Sequence, residues 1–447
     1  MKLHMKKIFI LGLFALLSMQ ACKKDQELID GKRPEERVAE DLEKYRSELI
    51  NSPNGWVAYL GTTLVGGGYN FYMSFDKDNK VIMRADYNSD IALESVQSTY
   101  RVKQVMAPSI IFDTYSLLHL LQDPDPNFFE GDLAVGYGSD FEFEIREQVG
   151  DTIKLIGKKR KAPLVLVKAT ADQKAFYTSD VFSDNIDEIT NYLADNPFTY
   201  VLDPKDNSKK VQVSIKPNVR ARTFSFISTN GADAVINSGT FSFSSTGLRL
   251  NSPIKNGDDA YTSVTWDKTV NKLFLISTKG AKVEVFVSNT ALFPLELLLG
   301  PVFSAVTVPN ATTYPGWSAN FASRRAAAAN AILTGQYGLR LDLMQFLFNT
   351  KANTMTLSAA VYQGANGFIA EYSYNYVKTA GNIFKFNYVS SNGNGGLIVT
   401  GMAPLLAQRI NVDRFKLDYF VNPNNGEILG QFTSIEHPDF TFSGALQ

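Results

Sequence analysis

Short apolar runs with a period of two restrict the fold of this chain more than any other feature of its sequence. Eight such runs lie between residues 56 and 167, with turn-forming residues such as Asp76–Asn79 between them. Alternation at this period is typical of strands with one buried face, and hairpin-length gaps make neighbouring strands antiparallel. The pattern predicts a mainly β protein built of antiparallel meander sheets, as barrels or as sandwiches. The eight runs are Trp56–Leu60, Tyr69–Phe75, Val81–Tyr87, Tyr100–Val105, Ile110–Phe112, Phe141–Ile145, Thr152–Ile156 and Leu164–Val167.

A helix followed by a strand series occurs three times along the chain. Apolar residues recur at helical spacing from Val38 to Leu49, and a second helical stretch covers Ala171–Asp195. An Ala-rich helix at Trp317–Leu333 precedes the last series, which starts at Tyr337. We therefore predict three β units, each preceded by a helix, over residues 35–170, 171–300 and 301–447; whether they are true repeats stays open. The second series comprises Val211–Ile215, Thr223–Ile227, Thr240–Phe243, Val264–Trp266, Leu273–Ile276 and Val283–Val287.

The amino-terminal residues have the features of a lipoprotein export signal. Three lysines precede the apolar run Ile8–Leu17, which is shorter than the roughly 20 residues that a bilayer-spanning helix needs. Ala21 then precedes Cys22, the single cysteine of the chain. We predict a signal peptide at 1–21, acylation of Cys22 and a polar tether at 22–34. The mature protein would be held at a membrane by its lipid, without a transmembrane helix.

Charge argues against a nucleic-acid partner and distinguishes the last unit from the first. Removing residues 1–21 removes three lysines and no acids, so the formal charge changes from −1 to −4, whereas nucleic-acid binders carry a basic stripe. Residues 35–170 hold 36 charged side chains, but residues 301–447 hold only 16. We expect the surface of the last unit to be covered in part by a neighbouring domain or a partner.

Few residues are candidates for chemistry. His119 and Asp123 are four positions apart, so a helical turn would place them on one face, with Asp125 close by. The alternative is that both aspartates form turns at a helix end while His119 packs against the sheet. Local motifs of zinc proteases, serine hydrolases, phosphate loops and dinucleotide sites are absent from the sequence. We therefore assign no catalytic residue, no metal site and no cofactor, and keep His119, Asp123 and Asp125 as binding candidates.

A second set of binding candidates is aromatic. Tyr372, Tyr374 and Tyr376 fall on one face of a predicted strand. Exposed rings of this kind bind the apolar faces of sugars or peptide side chains. The alternative is that the stripe belongs to the core of a β domain.

The first unit contains the segments Gly55–Trp56, Gly67–Met73, Ile111–Ser116 with His119, Asp123–Pro126 and Gly138–Phe143. Together with the predicted lipoprotein start, these segments resemble an uncharacterised family of Bacteroidota surface lipoproteins, a domain of unknown function. The resemblance implies that the lipid anchor lies in the outer membrane, at the cell surface, and that the protein is an accessory of a nutrient-uptake system of the TonB-dependent transporter type. It implies no catalytic or binding residues.

Three functions are consistent with the sequence. The first is a non-catalytic surface module that binds a glycan or peptide ligand, or a transporter partner, with the long loop Thr114–Ser139 in its binding face. A surface hydrolase acting on glycan or peptide is the second, and a scaffold without a small ligand is the third.

Overall fold

The protein consists of three closed antiparallel β-barrels that follow one another along the chain. The computed structural model describes residues 32–447 apart from positions 65, 133, 221, 231, 232 and 380. Each barrel has eight strands, and in each barrel the first strand along the chain pairs with the last. Closure removes the exposed strand edges that make open sheets prone to aggregation. The predicted mainly β class with antiparallel meanders is confirmed, and the sheets close as barrels rather than packing as sandwiches.

The first barrel is a simple up-and-down meander. Its strands pair in chain order, and β1 closes the ring against β8 through pairs such as Val57 with Val167. In β3 the residues Val81, Met83 and Ala85 are buried and alternate with more exposed ones, as the period of two predicts. The strands are β1 (Trp56–Gly61), β2 (Gly68–Phe75), β3 (Lys80–Ala85), β4 (Val96–Gln104), β5 (Pro108–Phe112), β6 (Glu142–Val149), β7 (Thr152–Gly157) and β8 (Pro163–Lys168).

The second barrel closes through a short strand that the sequence pattern did not reveal. This strand, Thr199–Asp203, pairs with both neighbours and joins the ends of the meander. A second missed strand, Gly247–Asn256, contains polar residues at its centre, where its register shifts between Arg249 and Ile254. The strands are β9 (Thr199–Asp203), β10 (Asp206–Lys216), β11 (Thr223–Asn230), β12 (Asp233–Ser244), β13 (Gly247–Asn256), β14 (Asp259–Asp267), β15 (Lys272–Ser277) and β16 (Lys282–Val287).

The third barrel begins earlier than the sequence pattern indicates. Its first strand, Ala305–Val308, lies before the Ala-rich helix, so that helix connects the first and second strands instead of preceding the barrel. The strands are β17 (Ala305–Val308), β18 (Arg340–Asn349), β19 (Thr354–Gln363), β20 (Asn366–Thr379), β21 (Ile383–Ser391), β22 (Arg414–Val421), β23 (Ile428–Ser434) and β24 (Thr441–Leu446).

The described helices are few and most are short. The longer helices pack an apolar face against the barrels, as Ile186 and Ile189 do against the second barrel. The helices are α1 (Pro34–Ile50), α2 (Ser89–Leu93), α3 (Leu117–Leu120), α4 (Pro126–Phe129), α5 (Ala171–Tyr177), α6 (Val181–Asp195), α7 (Leu295–Leu298), α8 (Ala319–Leu333) and α9 (Gly393–Ile398), with a π-helical turn at Leu406–Ile410.

The barrels have separate cores, and neighbouring barrels also share apolar contacts. Val57 and Tyr72 of the first barrel belong to the same buried cluster as the interior of the second barrel. Ile227 of the second barrel is likewise buried in the cluster of the third. The three barrels therefore pack against one another, and the spaces between them are the places where a shared cleft can form.

Candidate functional site

A cleft of about 730 Å³ lies where the three barrels meet. Its size is in the range of small-molecule binding sites, which occur preferentially at domain interfaces. The first barrel contributes Tyr87 and the loop residues Phe129 and Glu130 to its wall. Helix α6 and the end of β10 form most of the second wall, and the third barrel closes the cleft with Phe303 and the hairpin between β22 and β23.

A fully buried ion pair joins the first two barrels behind the cleft wall. Arg222 Nη1 donates to Asp86 Oδ2 at 2.9 Å, and neither side chain is exposed to solvent. The backbone N–H of Phe243 donates to the same Asp86 oxygen at 2.8 Å. The guanidinium also donates to the carbonyl oxygen of Tyr87, a cleft residue, at 3.0 Å.

Aromatic rings surround this ion pair. The Arg222 guanidinium carbon lies 4.8 Å from the ring centroid of Phe243 and 5.4 Å from that of Tyr69. Burial raises the pKa of Asp86, and the positive charge of Arg222 acts in the opposite direction. A buried charge of this kind is tolerated only beside its partner. The pair therefore fixes the position of the first barrel relative to the second, and with it one wall of the cleft.

The hairpin between β22 and β23 of the third barrel approaches helix α6 closely at a glycine. Gly426 has a backbone φ of +71°, and an added Cβ at this position would lie 1.8 Å from the carbonyl oxygen of Ala194. A glycine is required here both by the left-handed backbone and by the close approach of the hairpin to the helix. Gly426 and Ala194 both line the cleft, so this contact sets its width on the side of the third barrel.

Lys216 is the cation inside the cleft. Its Nζ lies 4.8 Å from the ring centroid of Phe303, which belongs to the chain segment that leads into the third barrel. Burial lowers the pKa of this lysine. Among the described residues no carboxylate forms an ion pair with it, whereas Lys268 and Lys272 of the same barrel pair with Glu188 and Glu284. Lys216 is thus a half-buried ammonium group that packs against the face of an aromatic ring.

Three carboxylates also line the cleft. Glu130, Asp187 and Glu427 come from the first barrel, from helix α6 and from the third barrel, respectively, and all three are exposed. Within the chain as the structure describes it, none of them has a salt-bridge partner. Counted over the described residues, the cleft therefore presents one positive and three negative groups to a ligand, between apolar walls that include Ile215 and Ile428.

His119 and Asp123 both contact Tyr115, whose ring stacks on His119 at 5.6 Å, but within the described residues they form no hydrogen bond with each other. His119 stacks on Phe141 with ring centroids 4.6 Å apart, and its Nδ1 accepts the backbone N–H of Ser116 at 3.1 Å. Burial lowers the pKa of His119, which favours the neutral ring. Asp123 Oδ2 accepts the Tyr115 hydroxyl at 2.9 Å. These contacts are those of a helix cap and a packed ring, not of an imidazole oriented by a carboxylate.

Asp125 lies in the turn that follows helix α3. Its backbone N–H donates to Asp123 Oδ1 at 3.0 Å, and its side chain is at the surface. The carboxylate of Asp123 thus closes a local turn next to a proline, which is a common structural role of aspartate. Of the long loop Thr114–Ser139, the part that reaches the cleft is Phe129 and Glu130 rather than these three residues.

The tyrosine stripe lies inside the third barrel. Tyr372, Tyr374 and Tyr376 are 0%, 1% and 7% exposed. The hydroxyl of Tyr372 donates to the carbonyl oxygen of Gly395 at 3.1 Å, and that of Tyr374 to Asn411 Oδ1 at 3.0 Å. The three rings therefore form part of a packed core and present no platform to solvent.

The predicted signal peptide at 1–21, the predicted acylation site Cys22 and most of the predicted tether at 22–34 lie outside the described residues. Over residues 32–447, with the six exceptions given above, no group of three or more His, Cys, Asp or Glu side chains is arranged to hold a metal ion. Within the same residues no helix combines the length and the apolar character needed to cross a bilayer.

The family model described as domain of unknown function (DUF4302) matches residues 29–268, more than half of the chain. The chain belongs to the DUF4302 family. The DUF4302 region contains the first barrel, helix α6 and the second barrel as far as the turn after β14, and so it includes Asp86, Arg222 and Lys216. No curated protein matches the chain.

Sequence reasoning did not select the residues that build the cleft. Lys216 begins the stretch Lys216-Pro217-Asn218-Val219-Arg220, and Arg222 lies two positions after its end. This part of the sequence contains no catalytic motif. Asp86 follows a strand and resembles any other turn residue.

Proposed function

We propose that this protein is a non-catalytic, lipid-anchored surface protein that binds a ligand in the cleft between its three barrels. The observation that carries the proposal is the cleft itself, about 730 Å³ in volume and lined by all three barrels. Apolar walls with a few polar groups that point inward are typical of binding sites. Its described side chains include no pair of hydrogen-bonded titratable groups that would suit acid–base or nucleophilic catalysis.

The setting of this function is part of the same proposal. The sequence of residues 1–34 supports a lipidated Cys22 and attachment to the outer membrane at the cell surface. The resemblance to Bacteroidota surface lipoproteins supports a role beside a TonB-dependent transporter in nutrient uptake, with a ligand that the transporter imports.

Blocking the cleft tests the proposal. Thr190 lines the cleft from helix α6, whereas its neighbour Asn191 is exposed and lies outside the lining. We expect Thr190→Trp to fill the cleft and to abolish retention of a ligand, and Asn191→Trp to leave retention unchanged. The measurement is capture by the purified protein from a panel of neutral oligosaccharides, acidic oligosaccharides and random tripeptides, with mass spectrometry of the retained compounds.

Two outcomes would contradict the proposal. Equal retention by the wild type and by Thr190→Trp would place binding elsewhere, and no retention at millimolar concentrations would favour the scaffold. Mass measurement of the native protein tests the setting separately, since an unmodified Cys22 would remove the anchor. Affinity purification from membranes should recover a TonB-dependent transporter, and a preparation without one would contradict the proposed partner.

A further inference from the structure

We infer that the ligand of the cleft is a short peptide whose carboxyl terminus binds to Lys216. The inference rests on the proposed function, because it names the ligand class of the same cleft. The observation that carries it is that one ammonium group and three carboxylates line one apolar cleft, and that none of them has an ion-pair partner among the described residues.

Lys216 is held in a position suited to an anionic group. Its side chain reaches from the end of β10 to the ring of Phe303, so that the ammonium group spans the gap between the second and third barrels. Removing an ammonium group from water without a counter-ion is unfavourable. A ligand carboxylate at this point would supply the missing charge and a charge-assisted hydrogen bond.

The other charges of the cleft restrict the rest of the ligand. Glu130, Asp187 and Glu427 would repel a ligand with several negative charges, such as a polyuronate or a polyphosphate. They would attract an ammonium group. A compound with one carboxylate and one ammonium group complements a lining of this charge composition, and a short peptide has both.

The walls favour a peptide over a neutral or singly acidic sugar. Ile186, Val213, Ile215 and Ile428 give the cleft aliphatic surface, and Phe129 and Phe303 add aromatic surface. Such walls bury apolar side chains, which peptides have and sugars lack. Thr190, Ser214 and Asn196 lie between them and can bond to peptide groups.

The test compares two versions of one random tripeptide library, with free carboxyl termini and with carboxamide termini. We expect the wild-type protein to retain the free acids about ten- to a hundredfold better than the amides, as a charged hydrogen bond requires. Lys216→Met should retain both libraries equally. Lys210→Met is the matched control, since Lys210 is on the same strand and faces the ring of Tyr200 outside the cleft, and it should keep the wild-type preference.

The pH dependence gives a second readout. Because burial lowers the pKa of Lys216, the preference for free acids should disappear on raising the pH before an ordinary lysine loses its proton. An unchanged preference in Lys216→Met would overturn the inference. Retention of oligosaccharides but not tripeptides, still abolished by Thr190→Trp, would overturn the peptide ligand while leaving the proposed function intact. If Thr190→Trp retained every compound as well as the wild type, the proposed function would fail first.

Discussion

Two cations only six positions apart in the second barrel have opposite environments. Arg222 is fully buried, pairs with Asp86 and is surrounded by the aromatic rings of two barrels. Lys216 is half-buried, faces one ring across an open cleft and has no described carboxylate beside it. A buried charge beside its counter-ion serves structure, whereas a partly buried charge without a counter-ion is available to a ligand. At the junction of the first and second barrels the buried cation is therefore neutralised, whereas the cleft beside the third barrel leaves a cation without a described counter-ion.

Removing the paired cation should have the largest effect on stability. Arg222→Met leaves the carboxylate of Asp86 buried without compensation, and we expect a loss of about 3–5 kcal/mol in the free energy of unfolding. Urea denaturation followed by fluorescence measures this loss. The double variant with Asp86→Asn should lose less than the single variant. A loss below about 1 kcal/mol in Arg222→Met would show that both charges are hydrated, and the contrast with Lys216 would disappear.

Disturbing the contact of the third barrel with helix α6 should cause the second largest loss of stability. Gly426→Ala forces a left-handed residue and a clash with the Ala194 carbonyl group, and we expect a loss of about 1–3 kcal/mol together with weaker ligand retention. Gly364→Ala is the control, because Gly364 also has a positive φ but an added Cβ meets nothing within 4 Å. Equal losses in the two variants would mean that the clash with the helix contributes nothing.

His119 should have a smaller effect that depends on pH. The pKa of His119 is lowered in the folded protein, so the unfolded chain binds the proton more readily. Stability should therefore fall as the pH decreases below the ordinary value of 6.5. His119→Asn keeps an acceptor for the Ser116 N–H but loses the stacking, which costs about 1 kcal/mol at neutral pH. If the acid-dependent loss were the same in this variant, His119 would not be its source.

The unpaired cation should contribute least to stability. Lys216→Met removes a charge that burial disfavours and keeps an apolar chain against Phe303, so we expect a change within about 0.5 kcal/mol. Thermal unfolding at one pH measures it. A loss of more than 2 kcal/mol would show that Lys216 is bound as firmly as Arg222 and would weaken its assignment to a ligand.

The strands of the first barrel were predictable because each contains a recognisable alternation of apolar and polar residues within a few positions. Val81, Met83 and Ala85 alternate in the sequence and alternate in burial. The strands β9 and β13 were not predicted, because a five-residue strand after Pro197 and a strand with Asn251, Ser252 and Pro253 at its centre lack that alternation. The position of α8 was misjudged for a related reason, since the four residues of β17 are too short to form a recognisable pattern.

The candidate site was less predictable than the fold. Tyr372, Tyr374 and Tyr376 share a face in the sequence, but the sequence alone could not decide whether that face points into the barrel or into solvent. His119 and Asp123 have helical spacing, yet helix α3 ends at Leu120 and the chain continues in tighter turns, with Asp123 N–H bonded to the Leu120 carbonyl oxygen, so the α-helical alignment is lost. Phe129 and Glu130 lie within the loop that was expected to contribute to binding, and they are its members in the cleft.

By itself, the sequence determined the antiparallel β architecture, because a period of two is a local property that one buried face imposes on every strand. The sequence also contains the charged residues of the cleft, but it does not show that they lie close together in the fold. Asp86 and Arg222 are 136 positions apart, and Lys216 meets Phe303 only because the third barrel packs beside the second. The tertiary structure alone decided which cation is paired and which is free, because desolvation and ion pairing depend on what other segments bring to the same place.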